Sequence, residues 1–216
     1  MTREQVFELM METGVVAIIR AQSSDQLKEV IRALKDGGMK AIEVTMTTPN
    51  ALEVIRDSAR EFAGKDVAIG VGSVLDPETA RAAILAGAEF VVCPTLNLEV
   101  IKVCRRYSKV VMPGAFTPTE ILQAWEAGAD VVKVFPASTL GPRYIKDIKG
   151  PLPQVALSPT GGVDLDNAGA FIKAGASCVA VGSSLVSKDL LTSEDWPALT
   201  ERAREFLSVV RKARSS

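Results

Sequence analysis

The segment Ala127-Gly128-Ala129-Asp130-Val131-Val132 ends a helical pattern on glycine and turns directly into an apolar strand. Glycine suits this place because the residue after a helix often takes the left-handed conformation, which glycine reaches without steric cost. The same pattern recurs at Gly37-Gly38-Met39-Lys40-Ala41-Ile42-Glu43-Val44, Ala86-Gly87-Ala88-Glu89-Phe90-Val91-Val92 and Ala174-Gly175-Ala176-Ser177-Cys178-Val179. This repeat predicts an α/β protein built from successive helix–strand units.

Strand-like apolar runs alternate with helical patterns along the whole chain. Eight such runs lie at 15–20, 41–45, 67–70, 90–93, 110–112, 129–137, 155–157 and 178–181. Ser23 or Ser24 caps the helix after the first run, and Thr117-Pro118-Thr119-Glu120 is a capped helix start. We predict a (β/α)8 TIM barrel as a single domain over 1–216, with an extra N-terminal helix. A doubly wound open sheet is the alternative, but no glycine-rich dinucleotide fingerprint follows the first run.

The composition excludes several kinds of site. The chain has 216 residues, 47% of them hydrophobic and 24% charged, which suits a globular protein with one large core. Its net charge is −1 and its basic residues are scattered, so we expect no nucleic-acid partner. The chain contains no histidine, which excludes a His-ligated zinc site and any Ser-His or Cys-His catalytic pair.

The three cysteines, Cys93, Cys104 and Cys178, are far apart in the sequence. Their spacing matches neither a metal site nor a disulfide framework, and Cys93 and Cys178 lie in apolar runs typical of the core. No apolar run is long enough to span a bilayer, and no signal peptide opens the chain. We therefore expect a cytoplasmic protein with no membrane partner and no metal.

Lys133 stands in the middle of an apolar strand pattern, where a lysine is unusual. Burial of an ammonium ion is costly, so desolvation favours the neutral amine, and a neutral amine can attack a ketone to form a Schiff base. The alternative is that Lys133 lies at a strand end and extends to water.

Glu43 is a second charged residue within an apolar run, Ala41-Ile42-Glu43-Val44-Thr45. Side chains alternate along a strand, so Glu43 and Thr45 share one face, which we predict to be the face inside the barrel. One interpretation is a structural ion pair with Arg20 at the end of the first strand. The other is that Glu43 moves protons for Lys133.

Two glycine-containing loops follow the last two predicted strands. Gly161-Gly162 precedes a predicted helix start at Val163-Asp164, and Gly182-Ser183-Ser184 follows the next strand. Backbone amides at such a helix start bind phosphate, and barrels of this class hold phosphate after strands seven and eight. Two tight turns without a ligand are the alternative interpretation.

Six motifs stand in the order and spacing of one known family. They are Glu43-Val44-Thr45, Gly70-Val71-Gly72-Ser73-Val74-Leu75, Met112-Pro113-Gly114, Lys133-Val134-Phe135-Pro136-Ala137, Pro159-Thr160-Gly161-Gly162-Val163 and Val181-Gly182-Ser183. Over nearly its whole length the chain resembles the 2-keto-3-deoxy-6-phosphogluconate (KDPG) aldolase and 4-hydroxy-2-oxoglutarate (KHG) aldolase family. The resemblance implies a class I aldolase that needs no metal or other cofactor, forms a homotrimer, and acts on a small keto acid to release pyruvate.

The resemblance also implies roles for individual residues. Lys133 falls on the Schiff-base lysine and Glu43 on the general acid–base, while Ser73 stands where the family usually has a threonine that holds the pyruvyl carboxylate. Thr160, Gly161, Gly162, Gly182 and Ser183 fall on the phosphate site. The implied substrate-binding set is Arg20, Thr45, Thr47, Ser73, Pro94, Phe135, Thr160, Gly161, Gly162, Gly182 and Ser183.

One residue departs from the family pattern. Many members carry a carboxylate-binding arginine two residues after the threonine of the Glu-Val-Thr motif, where this chain has Thr47. The bidentate cation is therefore lost at that place, and Arg20 could replace it in part.

The implied reaction is cleavage of KDPG to pyruvate and glyceraldehyde 3-phosphate, with 4-hydroxy-2-oxoglutarate, which yields pyruvate and glyoxylate, as a further substrate. Three alternatives stay open. The chain could be a 2-keto-3-deoxy-6-phosphogalactonate aldolase, a phosphate-binding isomerase or epimerase, or an inactive scaffold.

Overall fold

A computed structural model describes residues 1–20, 24–64 and 66–215. The strands are β1 (Val15–Ile19), β2 (Ala41–Thr45), β3 (Ala68–Gly72), β4 (Phe90–Val92), β5 (Val110–Met112), β6 (Gly114–Ala115), β7 (Val132–Val134), β8 (Leu157–Pro159) and β9 (Val179–Val181). The helices are α1 (Arg3–Thr13), α2 (Ser24–Asp36), α3 (Ala51–Glu61), α4 (Pro77–Ala86), α5 (Leu98–Arg106), α6 (Pro118–Glu126), α7 (Ala137–Lys149), α8 (Ala168–Lys173), α9 (Lys188–Ser193) and α10 (Trp196–Arg214). Of the two predicted caps for α2, Ser23 lies outside the described residues.

The strands form a curled parallel sheet in two pieces. One piece has the order β5-β4-β3-β2-β1-β9 and the other the order β6-β7-β8. The fifth predicted run matches β5, and Pro113, which has no N–H to offer a neighbouring strand, separates it from the unpredicted β6. Hydrogen bonds continue across both gaps, from Asp130 N to Val111 O of β5 at 3.1 Å and from Ser177 N to Leu157 O of β8 at 2.9 Å. The predicted alternation of parallel strands and helices is confirmed.

Side chains alternate between two cores, one on each face of the sheet. The larger core lies between the sheet and the helices that cover its outer face. The second core lies on the inner face, where Val16, Phe90 and Cys178 pack with Val6 and Met10 of α1. The helix that precedes the first strand therefore contributes to the inner core.

The predicted helix ends agree with the structure at most places. One glycine in each copy of the repeated helix–strand pattern has positive φ, for example 96° at Gly128 and 105° at Gly175. Thr117 caps α6 in the predicted manner, since Glu120 N donates to Thr117 Oγ1 at 3.3 Å and Thr117 N donates to Glu120 Oε2 at 2.8 Å. In the parts of the chain that the structure describes, no helix has both the length and the apolar character needed to cross a bilayer.

The helix predicted to open at Val163-Asp164 begins later. Helix α8 starts at Ala168, and a turn over residues 165–167 precedes it. Asp164 Oδ1 accepts hydrogen bonds from Asp166 N and Asn167 N, both at 3.0 Å. The side chain thus binds two backbone amides of this turn.

Candidate active site

Glu43 and Lys133 both point to the inner face of the sheet. Glu43 on β2 lies beside Ile18 of β1 and Gly70 of β3, and Lys133 on β7 lies beside Gly114 and Ser158. Both charged side chains are buried, with 1% of Glu43 and 6% of Lys133 exposed. The sheet therefore holds an acid and an amine where apolar residues would cost less free energy.

The two side chains line one cavity of about 210 Å³ at the carboxyl ends of the strands. It contains eleven of the thirteen predicted site residues: Arg20, Glu43, Ser73, Pro94, Lys133, Phe135, Thr160, Gly161, Gly162, Gly182 and Ser183. Its other lining residues are Ile18, Val163, Asp164, Ala180 and Ser184. Loops at this edge of a parallel sheet commonly hold binding and catalytic groups.

Thr45 and Thr47 do not line this cavity. The Thr45 hydroxyl lies 2.8 Å from the hydroxyl of Thr47 and 3.4 Å from that of Thr48, so the three form a small polar cluster below the rim. Thr47 lines a neighbouring cavity of about 500 Å³, which shares Arg20, Gly182 and Ser183 with the first. The structure therefore places residue 47 beside the predicted carboxylate site and outside the cavity that contains Lys133.

Burial dominates the electrostatics of Glu43. Desolvation raises the pKa of its carboxyl group, and the nearby cations Lys133 and Arg20 lower it by a smaller amount. Glu43 Oε2 is buried and has no hydrogen-bond partner in the described chain. Within those residues no ion pair joins Glu43 to Arg20, so the structural ion pair considered from the sequence is not formed. A buried carboxyl group with an unused oxygen can take and return protons.

Lys133 shows the opposite shift. Desolvation lowers the pKa of its amine, opposed mainly by Glu43 and then by Cys93. Its Nζ lies 4.9 Å from the centre of the Phe135 ring, so apolar surface covers part of the amine. The alternative of a lysine that extends to water does not fit this burial. A larger neutral fraction than that of a surface lysine makes the amine a better nucleophile.

The glycine loops after β8 and β9 are held together beside the cavity. Gly161 and Gly162 have φ of 85° and 75°, a region that side-chain-bearing residues rarely adopt. Ser184 Oγ donates to Val163 O at 2.5 Å and Asn167 Nδ2 donates to Gly162 O at 2.8 Å. The Ser184 bond joins the two loops into one wall, so the Ser184 hydroxyl is already engaged within it.

Comparison with known proteins identifies the family. Residues 6–202 match the family model described as KDPG and KHG aldolase. The chain belongs to the KDPG/KHG aldolase family.

Curated relatives carry two different names. The chain is 36% identical to the 2-dehydro-3-deoxy-6-phosphogalactonate aldolase of Escherichia coli K12, over 92% of this chain and 95% of that one. It is 30% identical to a 2-dehydro-3-deoxy-phosphogluconate aldolase of Haemophilus influenzae, over 97% and 99% of the two chains. A solved structure titled "Native KDPGal structure" superimposes with a TM-score of 0.87 at 32% identity, covering 94% of this chain and 96% of that one. The relatives of this aldolase-family chain are thus carbon–carbon lyases.

Two residues of the site were not singled out from the sequence. Gly72 lies where a Cβ would overlap the Glu43 carboxylate, and Asp164 brings a further carboxylate to the cavity wall. A glycine inside a strand indicates a close approach of another group, so the Gly70-Val71-Gly72 pattern carried a usable signal. Asp164 was not singled out because the prediction treated Val163-Asp164 only as the start of a helix. Among the described residues, no group of three Cys, Asp or Glu side chains is arranged to hold a metal ion.

Proposed function

We propose that this chain is a class I pyruvate aldolase that cleaves KDPG to pyruvate and glyceraldehyde 3-phosphate. The observation that carries the proposal is the pair of buried groups, Lys133 and Glu43, that share one cavity in a chain of this family. A desolvated amine supplies the nucleophile, and a buried carboxyl group beside it supplies the proton transfers.

The reaction begins with covalent capture of the ketone. Neutral Lys133 attacks C2 of the keto acid, and the carbonyl oxygen takes a proton to give a carbinolamine. Glu43, acting through a water molecule, delivers the proton that allows this hydroxyl to leave as water. The product is an iminium ion on Lys133, with C2 now strongly electron-withdrawing.

Carbon–carbon cleavage follows from the iminium ion. Glu43, as carboxylate, removes the proton of the C4 hydroxyl, and the C3–C4 electron pair moves toward the iminium to give an enamine. The C4 fragment leaves as an aldehyde. Glu43 then returns a proton to C3, and water hydrolyses the resulting iminium to pyruvate and free Lys133. Every proton removed is returned, so no cofactor is needed.

The other cavity residues bind and position the substrate in this scheme. Ser73 and Arg20 hold the pyruvyl carboxylate, and Thr160, Gly161, Gly162, Gly182 and Ser183 hold the phosphate. Pro94 and Phe135 form apolar walls that exclude water. Thr45 and Thr47 support the end of β2 through their mutual hydrogen bond. These contacts act by orientation, which lowers the entropic part of the barrier.

The proposal includes three features of the whole protein. We expect the two sheet pieces to act as one eight-stranded barrel, supported by the parallel bridge between Thr160 and Ala180. We also expect a homotrimer, as the family resemblance implies, and sedimentation at monomer mass across micromolar concentrations would contradict it. A charged phosphorylated substrate does not cross membranes unaided, which is why we place the enzyme in the cytoplasm.

A second candidate substrate is 2-keto-3-deoxy-6-phosphogalactonate, favoured by the 36% identity to an aldolase of that name. It differs from KDPG in the configuration at C4 and yields the same two products. Parallel assays of both compounds, with pyruvate release as the common readout, distinguish the two candidates. A third assay with 4-hydroxy-2-oxoglutarate measures the contribution of the phosphate.

Covalent trapping tests the proposed function directly. The protein is incubated with pyruvate and borohydride, and the adduct is mapped by mass spectrometry. A reduced pyruvyl adduct on Lys133 is the expected result. A folded protein that gives no adduct, or gives one on another lysine, would overturn the proposal in favour of an isomerase, an epimerase or an inactive scaffold.

A further inference from the structure

Asp164 adds a carboxylate to the wall formed by the two glycine loops. The residues beside it in this part of the cavity are Thr160, Gly161, Gly162, Gly182 and Ser183, and the Thr160 hydroxyl already donates to Ser158 O at 3.3 Å. Oδ1 of Asp164 is occupied by two backbone N–H groups. Oδ2 has no hydrogen-bond or ion-pair partner within the described residues, although the side chain is half-buried and lines the cavity.

The charges around the cavity balance. Its formally charged lining residues are two bases, Arg20 and Lys133, and two acids, Glu43 and Asp164. In the proposed reaction Lys133 and Glu43 act at C2, C3 and C4 of the substrate. Arg20 is assigned to the pyruvyl carboxylate, so among the charged residues that line this cavity Asp164 is left for the far end of the substrate, and it is an anion.

The strand order separates these two residues. Arg20 follows β1 and Asp164 follows β8, while β9 with Gly182 and Ser183 at its end lies between β1 and β8. The hydrogen bond from Ser184 Oγ to Val163 O holds the Asp164 turn against the β9 loop. A ligand on the glycine loops therefore has a cation on one side and a fixed carboxylate on the other.

We propose that Asp164 is a specificity-determining residue that lowers the preference for a fully ionised phosphate and accepts a hydrogen bond from a hydroxyl group at the far end of the substrate. This inference rests on the proposed function. A phosphate dianion beside Asp164 accepts hydrogen bonds from the backbone amides of the loops, but the Asp164 carboxylate repels it. A hydroxyl group has a proton to donate and meets the free Oδ2. The enzyme should thus use both phosphorylated and hydroxyl-ended aldehydes.

The Asp164→Asn variant tests this preference with little change to the turn. The amide oxygen still accepts from Asp166 N and Asn167 N, while an NH2 donor replaces the free acceptor. Asp166→Asn is the matched control, because it removes the same charge from the same turn outside the cavity. The readout is kcat/KM in condensation with saturating pyruvate, measured for D-glyceraldehyde 3-phosphate and for D-glyceraldehyde.

For the Asp164→Asn variant, we expect the ratio of the phosphorylated to the unphosphorylated aldehyde to rise about tenfold, which is the effect of about 1.4 kcal/mol. Asp166→Asn should leave the ratio at the wild-type value. An unchanged ratio in Asp164→Asn, or an equal rise in both variants, would overturn the proposal.

A second measurement uses the wild-type chain alone. A phosphate monoester gains its second charge at a pH of about 6. The ratio of the two aldehydes should therefore rise as the pH falls through that value, since the monoanion is repelled less. Protonation of Lys133 and Glu43 affects both aldehydes and cancels in the ratio. A ratio that is constant or falls would contradict the proposal, whereas loss of the Lys133 adduct with pyruvate would reject the aldolase function itself.

Discussion

The carboxylate of Glu43 on β2 occupies the space that a side chain on Gly72 of β3 would fill. A Cβ at Gly72 would overlap Oε1 of Glu43, and a Cβ at Gly70, two residues earlier on the same strand, would overlap the Phe90 ring. β3 thus carries glycine at two of its three inner positions, one beneath a core aromatic and one beneath the candidate acid–base, with Ala68 at the third. The second glycine lets a long acidic side chain stay buried in the orientation that the reaction requires.

Gly72→Ala should displace the Glu43 carboxyl group. We expect kcat for cleavage to fall about 100-fold, because the proton transfers lose their geometry. Lys133 keeps its amine, so borohydride should still trap pyruvate on it, at a lower rate because Glu43 also assists dehydration of the carbinolamine. The control is Gly169→Ala on α8, which makes the same glycine-to-alanine change at a place where the new Cβ would lie 3.5 Å from its nearest neighbour. Wild-type turnover in Gly72→Ala would show that the placement of Glu43 is not critical.

Lys133→Met should abolish turnover and the pyruvate adduct, since no amine remains at that place. It should also raise the free energy of unfolding by about 1 kcal/mol, because an apolar side chain replaces a desolvated one. Mass spectrometry and chemical denaturation measure the two effects. Lys102→Met, on the exposed face of α5, provides a comparison with normal activity. If the Lys133→Met variant still formed the adduct, the nucleophile would be a residue other than Lys133.

Glu43→Gln should lower the cleavage rate by about 10²- to 10⁴-fold. The amide has the shape of the carboxyl group and keeps the cavity intact, so the affinity for a non-cleavable keto acid should be nearly unchanged. Single-turnover kinetics separate binding from cleavage. Turnover close to that of the wild type would remove Glu43 from the mechanism.

The pH dependence of stability should report the burial of Glu43. Its folded-state pKa lies above the ordinary value of 4.5, so the native state binds more protons than the unfolded state in the window that begins near that value. The stabilising contribution is therefore complete below the window and is lost as the pH rises through the folded-state pKa. The free energy of unfolding of wild type minus that of Glu43→Gln, measured by denaturant titration, should decrease across this range. A flat difference would mean that burial does not perturb the carboxyl group.

The alternation of elements was predictable because its signals are local. Glycine after a helix, proline and threonine at a helix start and runs of branched apolar residues act within a few residues, and the structure confirms them at Gly128, Gly175 and Thr117. The predicted helix start at Val163-Asp164 was wrong, although the interactions at this place are also local. The Asp164 carboxylate accepts hydrogen bonds from two amides of the turn that follows it, and α8 begins after that turn, at Ala168.

The two charged anomalies were visible in the sequence because a charge within an apolar run is costly in any fold. Because of that cost, Glu43 and Lys133 could be identified as unusual before the positions of β2 and β7 in the fold were known. The sequence could not show that Thr47 faces the neighbouring cavity instead. That orientation depends on how the chain turns after β2, where the hydroxyl groups of Thr45 and Thr47 form a hydrogen bond.

The sequence by itself determined the alternation of strands and helices, the inner face of β2 and the two residues most costly to bury. Only the tertiary structure decided which distant groups meet: Glu43 with Lys133 in one cavity, Gly72 beneath Glu43, and Asp164 facing the same space. The reason is physical. Propensity, capping and side-chain alternation act over a few residues, whereas contacts between strands depend on register and sheet curvature, which the packing of the whole chain sets.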